Sequence, residues 1–549
     1  MSTVHEATCE VLRSLGMTTI FGNPGSNELP FLDRLPSDFR YILALQECAG
    51  LAIADAYSQA TGRPVLVNLH AAAGLGMAMG SLVNAQIQGT PLLIMSGQQS
   101  RAMLTLEAQL SIRDAIILPR PLVKWSFEAP DPGSVPAVIA RAAHMAMAAP
   151  SGPVFVSVPL DDWHHDAESD HAALLTARNV SARPVPPQGP LKTLADRLNS
   201  ARNPVLIMGN ELDTDEGWKA GVELADKCGA GVYLAIEPAR ISFPTQHPNF
   251  LGTLGATIES VRKQLMGHDL VIVFGAPVFR YHAWSPGSYL LDGTQVIMIT
   301  ADPDQAARAP MGDAIVGDPV VAMEQLHRLV KTRRTKLPAR TKTSVSSPTR
   351  GGKITVKQFN DVLAQVCPPD AVFTTESPSL GSWWEQFPLT RPRSFFCGAG
   401  GALGFGLPAA VGAGLAFGNR PVIALVGDGS ANYSITGLWT AAQQNVPCTF
   451  VIVRNGVYQA LKDLAAFLGT PAVPGLNLPG IDFVSIAAGY GLPGRRVSNA
   501  VEMADALKAA IDTGKPSLLE VEVEAADSGM FEKRPDQSGL SHAPRGSSR

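Results

Sequence analysis

The sequence predicts an α/β protein with three doubly wound parallel sheets, one in each of three domains. Short apolar runs alternate with helical patterns along most of the chain, which is typical of parallel sheets covered by helices. At 549 residues the chain is long enough for about three domains of ordinary size. Two stretches of different composition, one rich in proline and one rich in basic residues, divide it into three such blocks.

The first predicted domain covers residues 1–180. Its candidate strands are the apolar runs 18–21, 41–45, Val65–Leu69, 91–95 and 154–158. The proline-rich stretch 183–190 is predicted to be a linker to the second domain, 190–332. The candidate strands of the second domain are Pro204–Met208, 231–235, 269–274 and Gln295–Thr300. The stretch 331–353, basic and rich in Ser and Thr, is predicted to be the second linker.

The third predicted domain, 354–525, contains the most informative pattern of the chain. An apolar run leads into Gly-Asp-Gly-Ser at 427–430, a helical stretch covers 431–445, and a second apolar run ends just before Asn455. This is a βαβ unit, whose right-handed crossover places both loops beside each other at the carboxyl edge of the sheet. The tail, 526–549, is charged and rich in Ser, Pro and Gly. It is predicted either to be disordered or to lie across a neighbouring surface.

The loops of this βαβ unit carry groups that suit a metal and a phosphate. Gly427 and Gly429 let backbone N–H groups approach a ligand closely. Asp428 and Asn455 offer a carboxylate and an amide oxygen, which are suited to Mg²⁺. Two such groups do not complete the octahedral coordination of a Mg²⁺ ion, so the oxygens of a diphosphate would supply further ligands to the metal. The alternative interpretation is an ordinary tight turn with a solvated aspartate.

Three polar residues stand near the ends of three successive candidate strands in the first domain: Ser26, Glu47 and His70. Because the carboxyl-end loops of an open parallel sheet line one crevice, the three are predicted to face one site. Each residue also has a simpler interpretation. Ser26 could cap a helix, Glu47 could complement a helix dipole, and His70 could be a satisfied histidine of the core.

The composition argues against several classes of partner and location. A net charge of −4 argues against nucleic acid or an anionic membrane as the main partner. No apolar run reaches about 18 residues, and the first residues resemble no signal peptide. We therefore expect a cytoplasmic protein without a membrane span. The six cysteines are scattered without a CxxC pair, which is typical of reduced thiols.

The Gly-Asp-Gly…Asn pattern resembles the diphosphate-binding motif of the thiamine diphosphate enzymes, with Arg454 where that family often has a first Asn. The run 42–47 resembles the strand that carries their cofactor-activating glutamate. Further runs resemble the benzoylformate decarboxylase branch of the family: 22–32, 118–125, 275–282, 429–434 and 473–483. The similarity spans about 1–525, which includes all three predicted domains.

This resemblance implies a pyrimidine-binding first domain, a middle domain and a diphosphate-binding third domain. The implied cofactors are thiamine diphosphate and Mg²⁺, which Ca²⁺ could replace in a crystal. The cofactor-binding residues that it implies are Glu47, Ser377, Ser379, Gly401, Leu403, Gly427, Asp428, Gly429, Ser430, Tyr433, Asn455 and Tyr458. The implied metal ligands are Asp428, Asn455 and the carbonyl group of Val457.

The resemblance also implies decarboxylation of a 2-oxo acid, benzoylformate in particular, with carboligation as a side activity. Glu47 would activate the cofactor, Ser26 would hold the substrate carboxylate, and the histidines His70 and His282 would transfer protons. The implied pocket residues are Gln109, Leu110, Ala460, Leu461 and Leu464. Leu464 stands where an aromatic ring is expected. The active sites would lie between the subunits of a homodimer or homotetramer.

Two other interpretations remain open. One is a different enzyme on the same fold, either a carboligase or a 2-hydroxyacyl-CoA lyase. The lyase would carry a basic nucleotide-binding cluster in the middle domain, where only the isolated Arg308 is found. The other is a non-catalytic protein that uses the fold as a scaffold. Such a protein would be expected to lose Glu47 or the pair Asp428 and Asn455, and all three are present.

Overall fold

Three parallel sheets organise the molecule. The structure, a computed structural model, describes residues 2–167, 171–181, 183–290, 292–333, 345–349 and 352–526, together with Gly529 and Phe531. Within this part of the chain each sheet has six strands, and every pair of neighbouring strands is parallel. The predicted fold class, three α/β units with parallel sheets, is therefore confirmed.

The first sheet has the strand order β2-β1-β3-β4-β6-β5. Its strands are β1 (Thr19–Gly22), β2 (Arg40–Leu43), β3 (Val65–Leu69), β4 (Leu92–Gln98), β5 (Trp125–Glu128) and β6 (Val154–Pro159). The accompanying helices are α1 (Val4–Ser14), α2 (Leu29–Leu32), α3 (Glu47–Thr61), α4 (Ala71–Gln88), α5 (Arg101–Leu104), α6 (Val135–Met147) and α7 (His171–Thr176). The connections change direction between β1 and β3, which is where open sheets of this type form a crevice.

The second sheet has the order β12-β11-β10-β7-β8-β9. Its strands are β7 (Pro204–Met208), β8 (Gly231–Leu234), β9 (Phe250–Thr253), β10 (Leu270–Phe274), β11 (Gln295–Thr300) and β12 (Asp313–Val316). The helices are α8 (Gln188–Ser200), α9 (Asp215–Cys228), α10 (Ile258–Gln264), α11 (Pro303–Ala307) and α12 (Pro319–Leu329). Counted from its own first strand, this is the 3-2-1-4-5-6 order of dinucleotide-binding folds.

The third sheet has the order β14-β13-β15-β16-β18-β17, which repeats the connectivity of the first sheet. Its strands are β13 (Val372–Glu376), β14 (Phe395–Cys397), β15 (Val422–Gly427), β16 (Cys448–Arg454), β17 (Gly494–Val497) and β18 (Ser517–Glu522). The helices are α13 (Val356–Val366), α14 (Gly406–Phe417), α15 (Asp428–Ala431), α16 (Gly437–Gln444), α17 (Gln459–Leu468), α18 (Phe483–Gly489) and α19 (Ala500–Asp512). The corresponding crevice lies between β13 and β15.

The first and third units pack together through α3 and α14. Both helices are rich in Ala and Gly, so their backbones can approach each other closely. A Cβ atom on Gly412 would lie 2.1 Å from the carbonyl oxygen of Ile53, so this contact requires glycine. The Oγ1 atom of Thr440 also donates a hydrogen bond to the carbonyl oxygen of Leu43, at 3.1 Å. The first and third units of one chain thus form a single packed body.

The proline-rich stretch docks on the second sheet instead of crossing open solvent. Arg183 pairs with Asp318 at 2.6 Å and with Glu216 at 2.9 Å. The backbone N–H of Asp318 also donates to the carbonyl oxygen of Pro184, at 2.8 Å. Part of the carboxyl edge of this sheet is therefore covered by the chain itself. The last residues of the stretch, from Gln188 onward, already belong to α8. Most of the second predicted linker, like most of the tail, lies outside the described residues.

Two local predictions were wrong. The stretch 431–445 is not one helix, because it divides into α15 and α16 with a turn between them. In that turn the Nδ2 atom of Asn432 donates to the carbonyl oxygen of Asp428, at 2.7 Å. The second candidate strand ends at Leu43, and Glu47 is the first residue of α3. Among the described residues no helix is long and apolar enough to cross a membrane.

Candidate active site

The segment 23–28, which follows β1, connects the sequence-predicted residues of the first unit. The Nδ2 atom of Asn23 donates to Oε1 of Glu47 at 3.4 Å. The Nδ2 atom of Asn27 donates to the carbonyl oxygen of Leu110 at 3.2 Å. Ser26 lies in the same segment with an exposed side chain. The loops that follow β1, β2 and β4 therefore meet at one edge of the first sheet, as the sequence predicts.

Glu28, which the sequence analysis missed, holds His70 in place. Its side chain is completely buried, and its Oε2 atom lies 2.8 Å from Nδ1 of His70. Its Oε1 atom accepts hydrogen bonds from the backbone N–H groups of Gly97, at 2.8 Å, and Ala71, at 3.1 Å. An ionised carboxylate only accepts hydrogen bonds, so Nδ1 of His70 donates and Nε2 is left free to accept a proton. We call Ser26, Glu28, Glu47, His70 and Leu110 the Glu47 group.

Glu47 is buried at the amino-terminal turn of α3, with only 6% of its surface exposed. A buried carboxylate usually has a cation or several donors as partners. The structure gives Glu47 one side-chain hydrogen bond, the long contact from Asn23. Its remaining acceptor capacity suits a donor that comes from a ligand.

The loop that carries Gln109 and Leu110 follows β4. The Nε2 atom of Gln99 donates to the carbonyl oxygen of Gln109 at 2.9 Å. The side chain of Gln109 is exposed, and Leu110 is half-buried with a positive φ of 70°. Gln109 therefore lies next to the Glu47 group, to which Leu110 belongs, and Asn27 binds the carbonyl oxygen of Leu110.

In the third unit, the predicted residues follow three neighbouring strands, β13, β15 and β16. Ser377 comes directly after β13, and its Oγ atom lies 3.3 Å from Oγ of Ser379. Asp428 and Ser430 follow β15, and Asn455 follows β16. Ser377, Asp428 and Ser430 are all buried. We call Ser377, Ser379, Asp428, Asn455 and Tyr458 the Asp428 group.

Asp428 is a buried carboxylate with no ion pair in the described part of the chain. Its Oδ2 atom accepts from the backbone N–H of Gly456 at 2.7 Å, and its Oδ1 atom accepts from that of Gly429 at 3.0 Å. Burial raises the pKa of Asp428 above its ordinary value, although these hydrogen bonds act in the opposite direction. A nearby divalent cation would reverse this effect and stabilise the charged form.

The segment Asn455 to Tyr458 is fixed in place beside Asp428. The backbone N–H of Val457 donates to Oδ1 of Asn455 at 3.1 Å, and the N–H of Tyr458 donates to the carbonyl oxygen of Leu476 at 2.9 Å. A Cβ atom on Gly429 would lie 2.3 Å from Cε1 of Tyr458, so the ring rests directly on this glycine. Tyr433 is about half exposed, at 51%.

The loop that carries Gly401 and Leu403 is held from two sides. The amide of Asn84, on α4, accepts from the N–H of Gly400 at 2.8 Å and donates to the carbonyl oxygen of Ala402 at 2.9 Å. On the other side, Glu376 accepts from the backbone N–H groups of Gly404, Phe405 and Gly406, at 2.9, 3.3 and 3.1 Å. Leu403 is half-buried between these attachments. Glu376 and Asn84 were both missed by the sequence analysis.

Glu376 leads to a prediction about pH. Burial raises its pKa to about 7, although the three N–H donors act in the opposite direction. The pKa of Glu376 is higher in the folded protein than in the unfolded chain, so protonation of Glu376 stabilises the folded state. This stabilisation is complete below about pH 4.5, the pKa in the unfolded chain. It is lost as the pH rises to about 7. In urea unfolding of the protein without cofactor, we expect Glu376→Gln to gain stability relative to the parent across this window, by about 1.4 kcal/mol per pH unit at most.

The control for this measurement is Glu259→Gln, which changes a half-exposed carboxylate of α10 that is paired with Lys263 at the surface. Its free energy of unfolding should follow that of the parent at each pH. A difference between Glu376→Gln and the parent that stays constant from pH 4.5 to pH 7 would contradict a raised pKa at Glu376.

His282 belongs to the second unit and lies beside α17 of the third. Its Nδ1 atom lies 2.6 Å from Oε1 of Glu237, and its backbone N–H donates to the carbonyl oxygen of Ala256 at 2.9 Å. The hydrogen bond with Glu237 raises the pKa of His282 above its ordinary value. Leu464, on α17, packs in the same small apolar cluster as Ala256. Of the other predicted pocket residues on α17, Ala460 is half-buried and Leu461 is exposed.

Within one chain, the Glu47 group and the Asp428 group are neighbours but are not joined directly. Among the described residues no hydrogen bond or ion pair connects their side chains. The contact between the two areas is made by Cys48, whose Sγ atom lies 3.5 Å from Oγ of Ser434. The predicted residues of the first unit and those of the third unit thus lie at the carboxyl ends of two different sheets.

The Asp428 group fits a metal bound together with a diphosphate. Among the described residues, no cluster of three His, Cys, Asp or Glu side chains could hold a metal alone. The buried Asp428 carboxylate, the Asn455 amide and the Val457 carbonyl are oxygen donors that suit Mg²⁺. The buried hydroxyl groups of Ser377 and Ser430 suit phosphate oxygens. The residues present thus fit the cofactor and the metal that the resemblance implies.

Comparisons with known proteins define the class of the chain. The N-terminal, central and C-terminal domain models of the thiamine pyrophosphate enzymes match residues 2–115, 191–326 and 379–521. The chain therefore belongs to the thiamine pyrophosphate (thiamine diphosphate) enzyme family, and it carries both of the TPP-binding domains of that family. It is 46% identical to a benzoylformate decarboxylase from Pseudomonas aeruginosa, over 95% of this chain and 99% of that protein.

Two solved structures extend this comparison. The thiamine diphosphate-dependent 4-hydroxybenzoylformate decarboxylase of Rhodococcus jostii is 45% identical with a TM-score of 0.92, over 95% of this chain and 99% of that one. The benzoylformate decarboxylase of Polynucleobacter necessarius is 39% identical with a TM-score of 0.93, over 96% and 99%. The predicted resemblance is confirmed along nearly the whole chain.

Proposed function

We propose that this protein is a carboxy-lyase that uses thiamine diphosphate and Mg²⁺ to decarboxylate 2-oxo acids, with benzoylformate as the preferred substrate and benzaldehyde and CO₂ as products. The observation that carries the proposal is the 46% identity to a benzoylformate decarboxylase over 95% of the chain. The presence of Glu47, His70, His282, Asp428 and Asn455 supports it, because a scaffold protein would not need all of them.

Thiamine diphosphate supplies the carbon nucleophile and the electron sink that loss of CO₂ requires. The chain supplies binding, orientation and proton transfer. Glu47 is buried with unused acceptor capacity and would bind the aminopyrimidine ring. Leu403, on the loop held by Asn84 and Glu376, would contact the cofactor and help to orient it. Ser377, Ser379, Gly429 and Ser430 would bind the diphosphate, and Tyr433 and Tyr458 would lie beside it.

The substrate would lie between the Glu47 group and His282. Ser26 would hold the substrate carboxylate. His70 and His282 would move protons, since an imidazole can donate or accept near neutral pH. The hydrogen bond with Glu237 raises the pKa of His282 and favours its protonated form, and Nε2 is the ring nitrogen of His70 that Glu28 leaves free. Gln109, Leu110, Ala460, Leu461 and Leu464 would line the pocket.

The assembly that we propose is a homodimer or homotetramer with active sites between subunits. In one copy, no hydrogen bond or ion pair of the described residues joins the side chains of the two groups, so we propose that a second chain completes each site. We also propose the domain division 1–180, 190–332 and 354–525, since each of these ranges contains one complete sheet. The tail 526–549 would then form a separate C-terminal segment.

The proposed function is tested by measuring CO₂ release from a panel of 2-oxo acids, with purified protein, thiamine diphosphate and Mg²⁺. We expect benzoylformate to have the highest kcat/KM and straight-chain acids to react more slowly. Absence of benzoylformate turnover while another 2-oxo acid is decarboxylated would reject the substrate. Absence of CO₂ release from every acid would reject the activity.

The same assay separates the related enzymes. A 2-hydroxyacyl-CoA lyase would require a basic nucleotide site in the middle unit. Here Arg308 pairs with Asp304 on the surface of α11, and Arg183 already pairs with Asp318. Turnover of a 2-hydroxyacyl-CoA without CO₂ release would favour the lyase. Formation of 2-hydroxy ketones faster than free aldehyde would favour a carboligase.

The Glu28–His70 contact leads to a further prediction. In Glu28→Gln, the amide group can donate a hydrogen bond to Nδ1 of His70, which moves the ring proton to Nε2 and removes the free acceptor. We expect kcat to fall by up to ~10²-fold, with a changed pH profile and unchanged cofactor affinity.

The control for this prediction is a double-mutant cycle with His70→Ala. If Glu28 acts through His70, Glu28→Gln should cause little further loss once the histidine is absent. Equal losses in both backgrounds would show that Glu28 stabilises the loop without positioning the histidine.

A further inference from the structure

Phe531 contacts His282, a residue of the proposed active site, and Phe467 on α17, although it lies beyond residue 521, where the matched C-terminal domain ends. Only 6% of its surface is exposed. Its ring centroid lies 5.3 Å from that of His282, in an edge-to-face arrangement, and 5.4 Å from that of Phe467. Leu464 packs against the same apolar cluster. We call His282, Leu464, Phe467 and Phe531 the His282 group.

The position of His282 in this group is fixed on several sides. Its Nδ1 atom is bound to Glu237, its backbone is bound to Ala256, and its ring edge meets Phe531. Glu237 has a positive φ of 46°, which is uncommon for a residue other than glycine. The imidazole therefore has little freedom to turn away from Phe531, and Nε2 is the ring nitrogen left for a substrate.

The remaining side of the group is formed by α17. Phe467 is buried, whereas the next residue, Leu468, is 57% exposed. Leu464 is half-buried one helical turn before Phe467, and both pack in the cluster that contains Phe531, so this face of α17 turns towards Phe531. Leu464 is aliphatic and offers no flat surface. Phe531 touches both His282 and Phe467 on this face of α17.

We propose that Phe531 is a specificity-determining residue, which forms an aromatic wall of the substrate pocket between His282 and Leu464 and favours 2-oxo acids with an aryl group. This inference rests on the proposed decarboxylase function. An aromatic pair in an edge-to-face or offset arrangement is more stable than the same contact with an aliphatic chain. Phe531 would thus supply the ring that the sequence lacks at position 464.

The test compares two substrates in the full-length enzyme with its cofactors. We measure kcat/KM for benzoylformate and for 2-oxopentanoate in the parent, in Phe531→Ala and in Phe531→Leu. The ratio of the two values should fall by about 3- to 10-fold in Phe531→Ala, because one aromatic contact is lost. Phe531→Leu keeps most of the apolar volume, so it should show a similar fall in the ratio with little loss of turnover of the linear acid.

Leu468→Ala is the matched control, because it shortens an exposed apolar side chain on the same helix. Its ratio should equal that of the parent. An unchanged ratio in both Phe531 variants, or an equal loss for both substrates, would overturn the proposal, since a purely structural role affects both acids alike.

A second measurement separates this proposal from the proposed function. The acid 2-hydroxy-2-phenylacetate has no keto group to react, so its binding can be measured by calorimetry without turnover. We expect about 3- to 10-fold weaker binding to Phe531→Ala than to the parent. Equal binding would overturn the role of Phe531 even if decarboxylation were established. Missing CO₂ release in the parent would instead reject the decarboxylase function.

Discussion

Glu47→Gln should lower kcat by ~10²–10⁴-fold while the protein remains folded and still binds its cofactor. Glu47 is buried at the start of α3, and its only side-chain partner in the described chain is the long contact from Asn23. Glutamine has nearly the same shape, so packing should be retained. The amide cannot take up or release a proton, so assistance to the aminopyrimidine ring would be lost. The measurement is kcat for benzoylformate at saturating thiamine diphosphate and Mg²⁺.

The control for this variant is Glu502→Gln, at the corresponding first turn of α19. If Glu47 only complements a helix dipole, both variants should cost about 0.3–1 kcal/mol of stability and leave kcat unchanged. Near-normal turnover in Glu47→Gln would therefore assign Glu47 to the start of a helix and remove it from the catalytic residues.

Asp428→Ala should abolish the metal-dependent binding of thiamine diphosphate. The buried Asp428 carboxylate is held by Gly429 and Gly456, and no cation in the described chain pairs with it. A Mg²⁺ ion between this carboxylate and the diphosphate would neutralise both. Without the carboxylate, the metal loses its charged protein ligand and the diphosphate loses its bridge. The measurement is titration calorimetry with thiamine diphosphate, with Mg²⁺ and after its removal by a chelator.

Asp482→Ala provides the control, because Asp482 caps α18 in the same unit through the N–H of Ser485. Loss of that cap should cost about 1 kcal/mol of stability and leave cofactor affinity unchanged. If Asp428→Ala bound thiamine diphosphate with the parent affinity and the same dependence on Mg²⁺, the metal would have to be placed elsewhere.

The sequence by itself determined the fold class and most of the strands. Mostly apolar runs such as Val65–Leu69, Pro204–Met208 and Gln295–Thr300 have the bounds that the structure shows, because strands buried on both faces need apolar residues at most positions. The Gly-Asp-Gly…Asn pattern located one half-site, since both loops of a βαβ unit must reach the same sheet edge.

The sequence was less informative where side-chain contacts override local pattern. The helical pattern of 431–445 is interrupted because Asn432 binds the backbone at Asp428 and the chain turns there. Glu28 was missed although it stands inside the run 22–32, and Glu376 was missed although it directly precedes Ser377. Their role depends on which backbone N–H groups surround the carboxylate, and those groups come from residues about 30 to 70 positions away.

Only the tertiary structure decided how distant residues combine. Asn84 binds the loop of Leu403 across more than 300 residues of sequence, and no pattern near Asn84 indicates this. Phe531 reaches His282 and Phe467 from a segment for which the composition left two alternatives open, disorder or a position across a neighbouring surface. Local patterns record which face of a strand or helix is buried, because burial repeats with a regular period. They do not record which distant side chain fills a particular gap, since that is set by the packing of complete elements against each other.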